Sequence, residues 1–322
     1  MNSTSTSYPA VPDNTVPAGG NSHRRTFRRR VVGALATGAL TGPALLLGAV
    51  PAQAAATGVY IANGILEVRA GAATENRITV ERVPYGMSWR YVVRDTGATV
   101  TIGNGCIKID ANTARCNYSG VSSVAVRTLD LPDRINSNVT VGTWVSAGDG
   151  NDYVDLHSAH DTAYGGPGND KIFGWGGKDR LYGEAGNDII HGHAHDDTVD
   201  GGRGTDEIYG DEGADMLWGE EANTLQAGSG GDLMRGGAGN DRMRGMYGSD
   251  RMYGEAGDDT VQGGYDRDRV IGGAGSDDLG GGNGNDWLYG RDDRAGNDIV
   301  RGDSGSDYCE ADPGDTKQNC ET

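Results

Sequence analysis

The sequence predicts an all-β protein, a solenoid of short stacked strands preceded by a small β-rich segment. Three observations carry that expectation. Glycine supplies 56 of 322 residues while hydrophobic residues reach only 36%, too few for two ordinary cores. A nine-residue period runs from Ala147 to about Glu310, and fixed periods of this kind mark repeat architectures. Helical periodicity is weak throughout, whereas β-branched runs recur.

Residues 1–54 have the anatomy of an export signal. A polar stretch leads to a basic cluster from His23 to Arg30, an apolar run from Val31 to Val50, and Ala52-Gln53-Ala54, after which cleavage is expected. Arg24-Arg25-Thr26-Phe27 resembles a twin-arginine signal, although Arg28 stands where such signals have an apolar residue, so that route and the general secretory route both stay open. Gly33, Thr37, Gly38, Thr41, Gly42 and Pro43 interrupt the run and weaken it as a membrane anchor. The mature chain is therefore expected to be secreted and extracellular, with no membrane span.

The formal charge is −18 with the leader and −22 without it, because the leader holds five arginines and only Asp13 among acids. Such a surface repels nucleic acid and anionic lipid, so a cation is the natural partner of this much carboxylate. Four cysteines fall as two close pairs. Three connectivities are open, and the short loops favour Cys106 with Cys116 and Cys309 with Cys320, as an oxidising destination allows. Neither pair has CxxC spacing with a nearby histidine, which argues against zinc.

Residues 55–146 read as a β-rich N-terminal domain, or as a continuation of the downstream solenoid. Arg77–Val83, Trp89–Arg94, Ala98–Ile102, Val124–Leu129 and Val139–Val145 are expected strands. Asn63-Gly64, between two apolar runs, is a hairpin turn signal.

Residues 147–310 are the repeat. Eight nonapeptides begin at 147 and at every ninth residue to 210, a shortened unit at 219 resets the phase to 227, and seven more begin there. A twelve-residue unit from 290 and a regular one from 302 complete eighteen. Gly165-Gly166-Pro167-Gly168-Asn169-Asp170-Lys171-Ile172-Phe173 shows the full pattern. Asp occupies position six in seventeen units: Asp152, Asp161, Asp170, Asp179, Asp188, Asp197, Asp206, Asp215, Asp232, Asp241, Asp250, Asp259, Asp268, Asp277, Asp286, Asp298 and Asp307, with Thr224 the exception. Position eight is apolar almost throughout, as at Ile172, Leu181 and Ile190. A glycine turn leading into x-apolar-x predicts a three-residue strand with its middle side chain inward. Glycines at positions one, two and four are expected to provide backbone angles closed to other residues and to leave carbonyls free for an ion. Carbonyl and carboxylate oxygens suit Ca2+, whereas softer metals call for sulfur or imidazole.

These residues resemble the RTX, or haemolysin-type, calcium-binding repeat family over 147–310. The resemblance implies a right-handed parallel β-roll in which position-six carboxylates and turn carbonyls bind multiple Ca2+ ions between coils. It makes ligands of Asp152, Asp170, Asp179, Asp188, Asp197, Asp206, Asp215, Asp232, Asp241, Asp250, Asp259, Asp268, Asp277, Asp286, Asp298 and Asp307. Asp161 is left out, since Ala159 replaces the position-four glycine of its unit; His195 and Asp266 break the same position elsewhere. Residues 311–322, with Cys320, look like the terminal cap of secreted actinobacterial proteins of this type.

His191, His193 and His195 form an alternating cluster able to bind a transition metal, but His193 and His195 stand on glycine positions of the nonapeptide, which favours a structural reading. Aromatics at position nine, such as Phe173, Tyr182 and Tyr209, should face outward; cross-strand packing explains them better than sugar stacking. No His precedes Glu and no Gly-x-Ser-x-Gly occurs, so the usual zinc-protease and hydrolase motifs are absent and no catalytic residues are assigned. The expected function is a secreted, non-enzymatic calcium-binding protein that folds on binding, with a structural or surface role. The alternatives are a calcium-dependent adhesin whose partner is a cell-surface glycan or protein, and a hydrolase with an unrecognised site in 55–146.

Overall fold

The computed structural model describes residues 56–72, 74–86, 88–117, 120–220, 230–292 and 297–321. The expected export signal lies outside the described residues, as does Thr224. Two sheets of fourteen strands face each other, and among the described residues there is no helix. Among the described residues no helix is therefore long and apolar enough to cross a membrane.

From Ser123–Arg127 and Arg134–Asn138 onward, successive strands alternate between the two sheets. Each pairs in parallel with the strand one coil away, as Lys171↔Ile189 and Ile189↔Glu207 do eighteen residues apart. One coil is thus two nonapeptides. Position-eight side chains fill the space between the sheets: Ile172, Leu181, Ile190, Val199, Ile208, Leu217, Met234, Met243, Met252, Val261, Val270, Leu279, Leu288 and Val300 are at most 1% exposed. Apart from Ala147 and Leu156, buried at position one of the first two units, a single column of apolar side chains per sheet is the core of the repeat.

The strands are longer than the sequence predicts. Lys171–Gly176 and Arg180–Ala185 each run six residues, because positions one to three of the next unit continue the ladder. The pairing skips position one: Tyr164 meets Tyr182 and Gly166 meets Glu184, while Gly165 and Gly183 between them are left out of register.

Before the repeats, Ile65–Arg69 and Arg77–Tyr85 stack in parallel on Ser123–Arg127 and Arg134–Asn138. The remaining early strands are antiparallel neighbours that finish this end of each sheet, with one exception, Val100–Ile102, which runs parallel to Thr57–Ala62. Asn63 and Gly64 turn the first hairpin with φ of 51° and 79°, the left-handed pair that a two-residue turn requires. The expected strand Val139–Val145 is instead Thr143–Ser146, with Arg134–Asn138 as a separate strand on the other sheet.

The shortened unit at 219 also differs from the expectation. Met216–Trp218 and Leu233–Ala238 are consecutive strands on opposite sheets, so residues 219–235 form one nonapeptide carrying an eight-residue insertion rather than two units. Residues 221–229 of this segment lie outside the described residues. Both disulfides join nearest neighbours, Cys106 to Cys116 across an antiparallel pair and Cys309 to Cys320 at the C-terminal end.

Candidate metal centre

Every position-six aspartate comes after the turn and precedes the inward apolar residue by two, so its side chain enters the solenoid on the same side as the core column. All seventeen are at most 2% exposed. They form two rows. In one, the backbone N–H of Asp152 donates to Asp170 Oδ1, Asp170 to Asp188, and Asp188 to Asp206, at 2.7–2.8 Å. The row then passes from Asp206 directly to Asp232 and on through Asp250, Asp268 and Asp286 to Asp307. The other row runs from Asp161 through Asp179, Asp197 and Asp215 to Asp241, Asp259, Asp277 and Asp298.

One oxygen per carboxylate is spent on this ladder. The other, Oδ2, is buried without a hydrogen-bond partner at all sixteen expected ligand positions, from Asp152 to Asp307. Asp161 stands apart: its carboxylate accepts from the backbone of His157 and from Thr143 as well. A buried carboxylate oxygen left unpaired costs several kcal/mol, roughly, unless a cation or proton meets it.

The position-one glycine explains where Oδ2 lies. A Cβ built on Gly174, Gly183 or Gly192 would overlap Oδ2 of Asp179, Asp188 or Asp197, and on Gly165 it would also come within 2.9 Å of the Gly183 carbonyl one coil on. None of these glycines has positive φ. Their absent side chain makes room for a carboxylate, which corrects the expectation that all three glycines serve backbone angles. Positions two and four do need such angles: Gly166 and Gly168 have φ of 114° and 150°. Where a side chain replaces glycine, as at Glu184, His193 and His195, the residue is held near φ 75–81°, inside the left-handed well.

Beside the position-one Cα, where a Cβ would stand, lie Oδ2 of the unit's own aspartate and the carbonyl of the next position-one glycine. That donor set fits a hard cation such as Ca2+ and offers nothing to a thiophilic metal. The electrostatics agree. At Asp170 and Asp197 burial is the first cause of a raised pKa, opposed by the N–H of the preceding aspartate and assisted by repulsion from the row. Asp188 and Asp241 are pushed up to about 6, Asp179 and Asp250 to about 7, Asp170 and Asp268 to about 8, and Asp232 to about 9.

Four members of the rows are not signalled by the glycine period. Asp133 donates its N–H to Asp152 Oδ1, and its own Oδ1 accepts from the backbone of Asn76, which extends the first row by two coils. Thr143 donates to Asp161 Oδ1 at the start of the second row, and Asp315 accepts from Asp298 at its end. The Asp133-Arg134-Ile135 spacing is the one available signal, hidden because residues 128–136 hold no glycine.

A second ladder runs outside the first. The Asn169 N–H donates to Asn151 Oδ1, Asn187 to Asn169 and Thr205 to Asn187, so position-five side chains tie one turn to the next. Position-nine rings stack along the coil axis, with Tyr164 on Tyr182 at 4.8 Å and His191 on Tyr209 at 4.3 Å. Their faces are occupied by one another, as cross-strand packing predicts.

The family model described as the RTX calcium-binding nonapeptide repeat matches this chain in six overlapping segments, 157–190, 191–224, 219–246, 244–279, 262–295 and 280–316. No curated protein matches the chain.

Proposed function

Because residues 157–316 belong to the RTX calcium-binding nonapeptide repeat family, we propose that the chain is an exported scaffold whose two rows of carboxylates take up Ca2+ and whose solenoid becomes rigid as they do so. The observation that carries this reading is the buried, unpartnered Oδ2 repeated at sixteen positions. The chain's own residues hold the geometry. Oδ1 anchors each carboxylate to the coil before it, the position-one glycine clears the space, and the turn carbonyls lie within reach. A bound Ca2+ supplies the positive charge that the rows lack.

Binding and folding are then one reaction. A site filled at a hundredfold excess over its dissociation constant adds about 2.7 kcal/mol, and a row of them accumulates that gain. Two disulfides suit an oxidising compartment, where calcium is plentiful, and a chain that stays loose until it meets calcium suits export in the unfolded state. A structural or surface role is supported by an outer face of stacked rings and ion pairs, such as Arg235–Glu255 and Lys178–Asp196.

The test is a calcium titration of the mature chain, monitored by far-ultraviolet circular dichroism, with magnesium as control and bound ion counted by calorimetry. A cooperative gain of β signal with calcium alone is expected. An equal signal in chelator would end the proposal.

A further inference from the structure

On the outer face of one sheet, His191 and His193 lie on the strand Ile189–Ala194, and Asp211 lies on its parallel neighbour Glu207–Glu212. His191 is at position nine and His193 at position two, two residues apart on one strand, so both rings project from the same face. Asp211 is the register partner of His193. Its Oδ2 is 3.4 Å from His191 Nδ1 and 3.3 Å from His193 Nδ1. Among the described residues this is the one set of three His, Cys, Asp or Glu side chains whose ligand atoms all lie within 4.8 Å of each other.

From this geometry we infer a transition-metal site of the Zn2+ or Cu2+ class at His191, His193 and Asp211, separate in place and chemistry from the calcium rows. Two donors at about 2.0–2.1 Å from a tetrahedral ion stand roughly 3.3 Å apart, the separation that Asp211 Oδ2 already holds from the Nδ1 of each histidine. Two imidazoles and one carboxylate are the donor set of catalytic and peripheral zinc sites and are poor for Ca2+, so the two kinds of ion sort themselves by donor softness.

The rings are already fixed in place. Tyr209 stacks on His191 at 4.3 Å, and Trp175 stacks on His193 at 4.4 Å. Trp175 is in turn held by its indole N–H, which donates to Asp155. His193 Nε2 is buried without a hydrogen-bond partner, which leaves Nδ1 as the nitrogen through which that ring acts. Three protein donors leave a fourth tetrahedral position for water or for a ligand lying in the groove that His193 and Asp211 share with Trp175, Glu212 and Glu255.

His195 belongs to the same run of histidines in the sequence, but its Nδ1 is turned to the Ala194 carbonyl. It therefore provides the control. Full-length protein held in saturating calcium is titrated with Zn2+ by calorimetry and with Co2+ by visible absorption, alongside the variants His193→Asn, Asp211→Asn and His195→Asn. Positions 193, 195 and 211 have φ of 75°, 81° and 72°, a region that Asn tolerates well, and an unchanged calcium titration confirms that each variant folds. One Zn2+ per chain and the intense bands of four-coordinate Co2+ are expected in the parent and in His195→Asn. Loss of either proposed ligand should weaken Zn2+ by at least the roughly 10- to 100-fold that even an outer partner is worth. The inference is overturned if the parent binds no stoichiometric Zn2+, if His193→Asn and Asp211→Asn bind it as tightly as the parent, or if His195→Asn loses it equally.

Discussion

Chelating calcium at neutral pH leaves two rows of carboxylates in places where burial favours the protonated acid. The size of that effect comes from the pKa values. Asp179 and Asp250 sit near 7 in the fold against 3.8 when unburied, and each unit of difference is worth ~1.4 kcal/mol. Between those two values the folded state holds protons that the unfolded state has released, so stability falls as pH rises. For one such group the loss between pH 4 and pH 7 is on the order of 4 kcal/mol. Three or four groups together match the ~5–15 kcal/mol that holds an ordinary domain. The calcium-free solenoid is therefore expected to be most stable at about pH 4 and to lose stability progressively as pH rises, the loss ending only once the folded-state values, from about 6 at Asp188 to about 9 at Asp232, have been passed. Added calcium should restore it at pH 8 without proton release, because the unfolded carboxylates are already ionised there, and should release protons where it binds the compact, protonated chain at about pH 4. Circular dichroism in chelator across this range, with calorimetry in two buffers of different ionisation enthalpy, measures both effects. A calcium-free chain that is most stable at pH 8, or calcium binding to the compact low-pH chain with no proton release, would refute the argument.

The two uses of glycine can be separated by mutation. Gly183→Ala places a methyl group against Asp188 Oδ2 and the Gly201 carbonyl and should cost about 1–3 kcal/mol as overpacking, with one calcium site lost by calorimetry. Gly176→Ala, whose Cβ would meet nothing nearer than the His157 carbonyl at 3.8 Å and whose φ is ordinary, should be neutral or stabilising by a few tenths to ~1 kcal/mol in thermal melts. Asp188→Asn keeps an Oδ1 acceptor for the Asp170 N–H but removes the orphan anion; in chelator it should gain about 1–3 kcal/mol at pH 8 while binding fewer calcium ions. Reducing Cys309–Cys320, eleven residues apart, should cost up to ~3 kcal/mol, and hydrogen exchange should speed up first at Ile299–Ser304 and Tyr308–Glu310.

Much of the solenoid is legible in the sequence because its two signals are local. The inward residue and the carboxylate recur at fixed offsets from each turn, so Ile172, Leu181 and Asp170 can be placed without knowledge of the rest of the chain. The features that escape a sequence depend on contacts across a coil. Residues 128–136 carry Asp133 and the buried Ile135 at positions six and eight, yet no glycine announces them; Leu131 takes the left-handed angle at position four with φ 70°. The insertion in 219–235 misleads for the opposite reason. Its extra residues end in a glycine-rich run in which Gly230 is the true position-four glycine, stacked between Gly204 and Gly248, and the step from Asp206 to Asp232 reveals that the insertion adds nothing to the rows. The role of position one is hidden because a sequence reveals that a side chain is missing, not what fills the space.

That filled space also explains how so thin a core can specify one register. A slip of one coil by one residue would turn every position-eight side chain outward and would also drive each Oδ2 toward a neighbouring backbone in place of the gap beside glycine. Apolar burial alone penalises the slip by about 2 kcal/mol per residue. The carboxylate adds a second penalty of comparable size at the same unit, since a buried anion displaced from its oxygen-lined gap loses both the Oδ1 hydrogen bond and any cation on Oδ2. Register and, on the proposed function, ion binding are thus enforced by one side chain, Asp at position six, which accounts for its presence in units such as that of Asp197, where His193 and His195 have replaced two of the three glycines.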